Sequence, residues 1–589
     1  MAWEAWFTLA VTILTLVLLV RETLAPANVM LGATVLLLVV GIITPAQAFS
    51  GFGNSAPITV AALYVLARAV EKTNLLQPVL SFLLGEKGGD RGSLNRLLPT
   101  SAAASAFLNN TPLVAMLIPP VTDWAERTGK SPSKYLMPLS YAVILGGVVT
   151  VMGTSTNLVV SGMLEAKGLA PMGIFEITPI GLPVAVIGVL VLVLTAPFLL
   201  PARRGARRDL ERVAREFNVT MVVEPGGVID GKPVSEGGLR HLQGVFLVEV
   251  GRGGESIAPV DSRMVLQGGD RLCFVGQVDN IVDLQSMRGL VSTEMPHLTP
   301  FDSVKHTFFE AVVGVPSPLV GKTLKEIDFR SRYQAAVVAI HRAGHRINAK
   351  LGEVDLKVGD TLVLLADPAF KSRWRDRTDF LLVSQLGGTP PAVSRKAWFV
   401  GLVTVAIVFI AGLGILPMLQ ASLLGAIALI AFGVLTATEA RNAVDLDVIL
   451  VIATSFGIGA AMEGSGLAAK LSELLVGGFD GMGLLGVALG IILATSLVTE
   501  IITNNAAAAL LFPIAFASAE RLHQDPRVFA IIVAVMASTS FLTPIGYQTN
   551  TMVYGPGGYR FSDYSRLGAP LTIVVMITIL AVLKFYYGM

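Results

Sequence analysis

The strongest constraint on this chain is a polar interruption that occurs twice inside long apolar runs. Ser105-Ala-Phe-Leu-Asn109-Asn110-Thr111-Pro112 opens the run Leu113–Pro119, and Thr499-Glu-Ile-Ile-Thr503-Asn504-Asn505-Ala506 opens a second run ending at Pro513. At a shift of 394 residues, Ser105 meets Thr499, Asn110 meets Asn504 and Pro119 meets Pro513. Paired Asn side chains are costly in such a setting unless something hydrogen-bonds them. Taken singly, each stretch reads as a helix cap in a loop, with Asn ahead of Pro112 at the first helical position. The recurrence favours broken elements, one in each half of a membrane protein, meeting at a midplane binding site.

Composition supports a membrane setting. Of 589 residues, 53% are hydrophobic and 15% charged, too apolar for an ordinary soluble protein of this length. The net charge of +2 points to no particular partner, and there is no nucleic-acid signature. The single cysteine, Cys273, excludes an internal disulfide framework and a cysteine metal cluster. The six His form no ligand pair, and no nucleophile–base pair marks an enzyme. The start, Met-Ala-Trp-Glu-Ala, has no basic region, so the first apolar run is expected to be a retained helix.

The expected fold is a mainly α-helical polytopic membrane protein, built from inverted repeats of five spans, each with a re-entrant hairpin. An α+β soluble insert separates the halves. The domain expectation is a first membrane repeat at 1–202, two soluble domains at 203–297 and 298–394, and a second membrane repeat at 395–589. In the first half, spans at Trp6–Val20, Val29–Ile43 and Pro57–Ala69 precede an interfacial piece, Leu75–Leu84. Leu94–Trp124 then forms the hairpin, because one crossing would leave Asn-Asn-Thr-Pro in lipid. Tyr135–Leu164, broken at Gly153-Thr-Ser-Thr-Asn157, and Ile174–Leu200 complete the half. The second half repeats this order, with Val528–Val553 broken at Pro544-Ile-Gly-Tyr-Gln-Thr-Asn550. Five crossings per half invert the second copy. Placing the N-terminus outside puts most first-half Lys and Arg, with the Arg203–Arg208 cluster, inside; Lys167 is left nearly alone outside. Lys470, Arg521 and Arg527 of the second half then lie outside. The insert is thus expected in the cytoplasm of a cell-membrane protein with both termini outside.

The insert carries its own repeat. Val245-Phe-Leu-Val-Glu-Val with Leu266-Gln-Gly-Gly-Asp270 is matched by Ala335-Ala-Val-Val-Ala-Ile with Leu356-Lys-Val-Gly-Asp360. Each unit reads as strand, turn, strand, with Gly-Asp at the turn.

The tips and broken spans offer neutral oxygens and amides: Ser105, Asn109, Asn110, Thr111, Thr154, Thr156, Asn157, Thr499, Thr503, Asn504, Asn505, Thr549 and Asn550. Exposed carbonyls at a helix break can hold Na⁺, and N–H groups at helix starts favour an anion. Glu500 is the one acidic residue among these tips, with no Lys or Arg beside it, so Na⁺ coupling is favoured over proton coupling; Glu500 reads as a structural hydrogen bond or an end-of-helix position, with proton coupling as the alternative. Asp445 and Asp447 read as caps of the span that follows them.

These residues resemble the divalent-anion:sodium symporter family, whose tips carry Ser-Asn-Thr preceded four residues earlier by Ser or Thr. Asn109-Asn110-Thr111 follows Ser105, and Thr503-Asn504-Asn505 follows Thr499. The family's Gly-Thr-Pro-Pro-Asn signature is similar to Gly153-Thr-Ser-Thr-Asn157 and Gly546-Tyr-Gln-Thr-Asn550. The resemblance implies a homodimer in the lipid bilayer, with a fixed scaffold and an elevator-like transport domain, no cofactor, and Na⁺ as coupling ion. It implies one Na⁺ site at Ser105, Asn109, Asn110 and Gly153, and another at Thr499, Ile502, Asn504, Leu542 and Pro544. Substrate would meet Asn109, Asn110, Thr111, Thr154, Asn157, Thr503, Asn504, Asn505 and Thr549. Asn109 and Asn505 depart from the family's tips, and the Pro-Pro pair is absent from both breaks. The extra amides suit a compact tetrahedral oxyanion such as sulfate, with a C4-dicarboxylate as the alternative. The insert resembles two tandem TrkA C-terminal domains, also called RCK-C. That implies a dimerising role, with a nucleotide regulator as the alternative; no Gly-rich phosphate loop accompanies it.

Overall fold

A computed structural model describes residues 2–21, 24–76, 78, 90–202, 219–239, 245–253, 255–257, 260–261, 263–276, 289–292, 307–314, 317–342, 345–347, 349, 351–374, 379–385 and 393–589. Most of Leu75–Leu84 and all of Arg203–Arg208 lie outside the described residues.

Helices dominate both flanking halves. The first half holds α1 (Trp3–Arg21), α2 (Pro26–Val39), α3 (Ser55–Thr73), α4 (Asp90–Ser105), α5 (Asn110–Arg127), α6 (Leu136–Gly147), α7 (Ser155–Ala166) and α8 (Thr178–Leu199). The second holds α9 (Ala397–Gly412), α10 (Met418–Ala431), α11 (Leu446–Gly464), α12 (Leu467–Phe479), α13 (Gly483–Thr499), α14 (Asn504–Arg521), α15 (Pro526–Ser538), α16 (Gln548–Tyr554) and α17 (Phe561–Phe585). Helices α1, α8, α11 and α17 are long and apolar enough to cross a membrane. Large apolar side chains stand exposed along them and their neighbours, including Val186, Leu190 and Leu194 on α8 and Leu402, Val405 and Phe409 on α9. Such stripes suit a hydrocarbon solvent, and the chain is a membrane protein. Asp445 caps α11 by accepting from the Val448 amide at 3.2 Å, as expected.

The two halves interlock. Helix α7 packs on α14 and α15, α16 packs on α5 and α6, α2 lies against α11, and α3 against α10. Between helices in lipid, packing comes from close approach of small residues. Ala506 to Ala509 on α14 are fully buried. Gly181 on α8 and Gly568 on α17 show the tightest need against backbone: an added Cβ would stand 1.9 Å from the Val148 carbonyl oxygen and 2.0 Å from that of Phe541. Each glycine thus lets a long helix press on a carbonyl at the break of its own half.

Among the described residues the insert contains two five-stranded sheets. The first joins β1 (Val219–Val223), β2 (Val245–Arg252), β3 (Glu255–Ile257), β4 (Arg271–Gly276) and β5 (Leu290–Ser292) in the order β3-β2-β4-β1-β5. The second joins β6 (Thr307–Val312), β7 (Ala335–Arg342), β8 (His345–Arg346), β9 (Thr361–Ala366) and β10 (Leu382–Gln385) in the order β10-β6-β9-β7-β8. Read from the other edge, the second order is the first. The details repeat too. Arg252 clamps Asp270 at 2.6 and 2.7 Å, as Arg342 clamps Asp360 at 2.7 Å, in bidentate pairs that pin strand to turn. The ladders are irregular at Leu247/Glu249 and at Val337/Ala339. Phe309, Ala311, Leu362 and Leu364 fill the second sheet's own core. The other face turns toward the helices: Val312 joins their apolar cluster, and the turn at Gly359–Thr361 rests on Tyr554 and Gly555 at the end of α16.

Glu310 is buried in this second sheet, and its Oε1 has no hydrogen-bond partner. Burial pushes its carboxyl up from 4.5 to about 7. The folded chain therefore holds a proton that the unfolded chain releases, so stability falls as pH rises between those values and levels off above them. Glu310→Gln keeps the shape without the charge. Its melting temperature should exceed that of the parent at about pH 8, with the gap closing toward about pH 4.5. A gap independent of pH would contradict the account.

Candidate functional site

The site is built where helices stop. Between α6 and α7, and again between α15 and α16, the backbone leaves the helix inside the bundle, and each freed N–H and C=O needs a partner. The same residues supply them in both places. Asn157 Nδ2 donates to the Gly147 and Thr150 carbonyls at 3.2 and 2.9 Å. Asn550 Nδ2 donates to the Ser540 and Thr543 carbonyls at 3.0 and 3.4 Å. Thr150 Oγ1 donates to the Ala106 carbonyl in the first tip, and Thr543 Oγ1 to the Glu500 carbonyl in the second, at 3.1 Å. Each break is thus tied to its own hairpin tip.

The second break has further support. The Glu500 carboxylate accepts from the Phe541, Leu542 and Thr543 amides at 2.7, 2.9 and 3.0 Å. Three successive amides make a nest for a negative charge, so a buried carboxylate fits there. Tyr141 donates to the Phe541 carbonyl at 2.5 Å, and Tyr564 to that of Asn550 at 2.7 Å. The expectation that Glu500 serves as a structural acceptor matches this geometry.

The four helix starts at the breaks and tips meet through side chains. Asn110, fully buried, begins α5. With its amide nitrogen toward the Gly153 and Val143 carbonyls, each 3.3 Å away, it donates to both and to Ser105 Oγ at 2.6 Å, while its oxygen accepts from the Tyr547 hydroxyl at 2.6 Å. Two facing carbonyls favour nitrogen there. Turned round, Asn110 Oδ1 accepts from Ser105 and its nitrogen donates to Tyr547. The Tyr547 hydroxyl also lies 3.1 Å from Thr154 Oγ1. Thr111 donates to Gln548 Oε1 at 3.1 Å, joining α5 to α16. Ser155 and Thr156 donate to Asn505 Oδ1 at 3.1 and 3.2 Å, joining α7 to α14.

Of the first expected Na⁺ ligands, Ser105, Asn110 and Gly153 are brought together, while half-buried Asn109 accepts from the Thr111 amide at 3.4 Å. The second set is less gathered. Thr499 donates to the Ala537 carbonyl at 2.5 Å, the Leu542 carbonyl accepts from Ser565 at 3.0 Å, and that of Pro544 accepts from Thr551 at 2.8 Å. Among the described residues no hydrogen bond links Thr499, Ile502, Asn504, Leu542 and Pro544 to one another. Of the expected substrate residues, Thr503 is exposed and Asn504 half-buried at the start of α14. Thr549 and Asn550 both lie 2.9 Å from the Ser140 hydroxyl. The amide nitrogen of Asn157 is occupied by its own break. Tyr547, Gln548, Ser155 and Val143 were not singled out by sequence reasoning. Tyr547 stands at the twin position of Thr154, and that alignment is the signal that points to it.

Interrupted helices whose starts meet at neutral oxygens, inside a lipid-facing bundle, are the construction of a membrane transporter. The sequence pattern of the citrate transporter (CitMHS) family matches residues 16–534, and the chain belongs to that family. It is 36% identical to an uncharacterised transporter of Synechocystis over 99% of this chain and 97% of that one. It is 35% identical to a putative sulfur deprivation response regulator of Chlamydomonas reinhardtii, over 94% and 97% respectively. Sodium/sulfate cotransporter 1 of the same alga is 26% identical, over 91% and 84%.

The paired clamps generate a test. Asn550→Ala strands the Ser540 and Thr543 carbonyls, and Asn157→Ala that of Gly147, the Thr150 carbonyl keeping the Gly153 amide at 3.3 Å; the cost is about 1–3 kcal/mol per buried unsatisfied group. Both variants should melt at lower temperature than the parent in detergent without added ions. Unchanged melting would contradict the assignment of these amides to the breaks.

Proposed function

We propose that this chain is a sodium-coupled symporter of a small divalent inorganic anion, sulfate above others. The observation that carries the reading is the meeting of the tip and break helices through Asn110, Tyr547, Thr154 and Asn505. Ser105 Oγ and the Gly153 and Val143 carbonyls already surround the Asn110 amide. Turning that amide gives the cluster a fourth oxygen, a neutral set suited to Na⁺. The anion then sits at the helix starts, close to the cation that offsets its charge. The names of the algal relatives support sulfate; the two-tipped site keeps a C4-dicarboxylate as the alternative, and the family's name, citrate transporter, points to carboxylates only as a class.

In this reading the halves are inverted copies, and the matched bonds of Asn157 with Asn550 and of Thr150 with Thr543 support it. Transport proceeds by an elevator-type movement in a homodimer, with the insert in the cytoplasm and both termini outside. The insert forms two TrkA-C-like modules, a reading supported by its two sheets of one strand order. Their duty is dimerisation or regulation, with a nucleotide as the candidate ligand.

Purified protein in liposomes should take up labelled sulfate when an inward Na⁺ gradient is imposed, and should do so with the pH gradient collapsed. Asn110→Ala and Asn504→Ala should each weaken anion binding by about 5- to 150-fold, the equivalent of about 1–3 kcal/mol. Uptake driven by protons without Na⁺, or normal uptake by either variant, would reject the reading.

A further inference from the structure

Thr154 and Tyr547 stand at matched places in the two breaks, each immediately after a glycine and each the residue that caps the following helix. A site made of two like halves would present like side chains there, and here it does not. Thr154 offers a short hydroxyl. Tyr547 places a buried ring on its side of the centre and carries a hydroxyl across to the other half, 2.6 Å from Asn110 and 3.1 Å from Thr154. The space that a second threonine would leave open is filled. An anion with a carboxylate at each end needs room on both sides of the centre. A single-centre oxyanion needs one compact nest with a donor pointing into it.

The hydroxyl has a second consequence. When the Asn110 oxygen faces Tyr547, the phenol O–H is spent on it. When Asn110 turns that oxygen toward the Ser105 and Gly153 cluster, its nitrogen donates to the phenol oxygen instead, and the O–H is released. Cation binding and the availability of a donor for the anion are then two sides of one amide rotation.

We propose that Tyr547 is the specificity-determining residue of this site: its ring limits the anion to a single tetrahedral centre, and its hydroxyl, freed when Asn110 turns to Na⁺, binds that anion. This rests on the reading that the anion lies among these helix starts. No bond is made or broken; the hydroxyl changes acceptor.

The test is ligand-dependent thermal stabilisation of the purified full chain by sulfate, thiosulfate, malonate and succinate, in Na⁺ and in choline. The parent should respond to sulfate and thiosulfate in Na⁺, weakly in choline, and not to succinate. Tyr547→Phe keeps the ring, so it should still reject succinate, bind sulfate about 5- to 150-fold more weakly, and lose most of the Na⁺ dependence. Tyr547→Thr should admit malonate and succinate; if it fails to fold, Tyr547→Asn provides the same shortening. An unchanged size limit in the shortened variant, or full Na⁺-dependent sulfate binding in Tyr547→Phe, would overturn the proposal. A parent that binds thiosulfate but not sulfate would reject sulfate as substrate, yet a widened limit in Tyr547→Thr would still support the role of Tyr547. A parent that binds succinate as well as sulfate would overturn the size limit itself.

Discussion

A helix interrupted inside hydrocarbon exposes backbone groups that lipid cannot satisfy, so each interruption must be paired by the protein itself. In this chain that requirement is met twice by one device: an asparagine at the start of the second helix piece reaches back to two carbonyls of the gap, and a threonine in the gap reaches out to the hairpin tip. The rest follows from these ties. Because each break is fastened to its tip, the helix starts stay together, and the side chains at their first turns meet across the halves. The second break adds Glu500, whose carboxylate gathers three amides where the first has the short side chain of Ala106. The two gaps are alike in plan and unlike in charge.

The insert is built by the same economy of repetition. A bidentate Arg–Asp pair fixes the turn in each sheet, and the irregularity in each ladder falls at the same place. Its second sheet rests on Tyr554 and Gly555, the end of the short helix whose other end carries Tyr547 and Gln548. A displacement of that sheet therefore bears on an element only seven residues long that reaches the centre of the site.

Much of this arrangement was legible in the sequence. The Asn pairs marked the helix starts because amides in apolar runs demand partners, and Gly153 and Gly546 marked the breaks. The helix order, the tip positions and the insert's internal repeat follow from hydropathy and spacing alone. What lay beyond the sequence depends on contacts between distant residues. Tyr547 meets Asn110 and Thr154 only because α16 packs on the other half, and a tyrosine near an apolar run otherwise reads as packing. The bonds of the Asn157 amide nitrogen to two carbonyls of its own break are likewise invisible in the sequence, while its oxygen is buried with no hydrogen-bond partner among the described residues. Glu500 was recognised as a structural acceptor, but its three amide partners lie some forty residues ahead.

The central claim is that the anion binds where the tip and break helices begin. Selenate has the shape and charge of sulfate and a heavy centre that can be located directly. A structure determined with selenate and Na⁺, using anomalous scattering from selenium, should locate the anion with its oxygens within hydrogen-bonding reach of Tyr547 and the first turns of α5, α7 and α14. Selenium bound at another place, with none at those helix starts, would contradict the account.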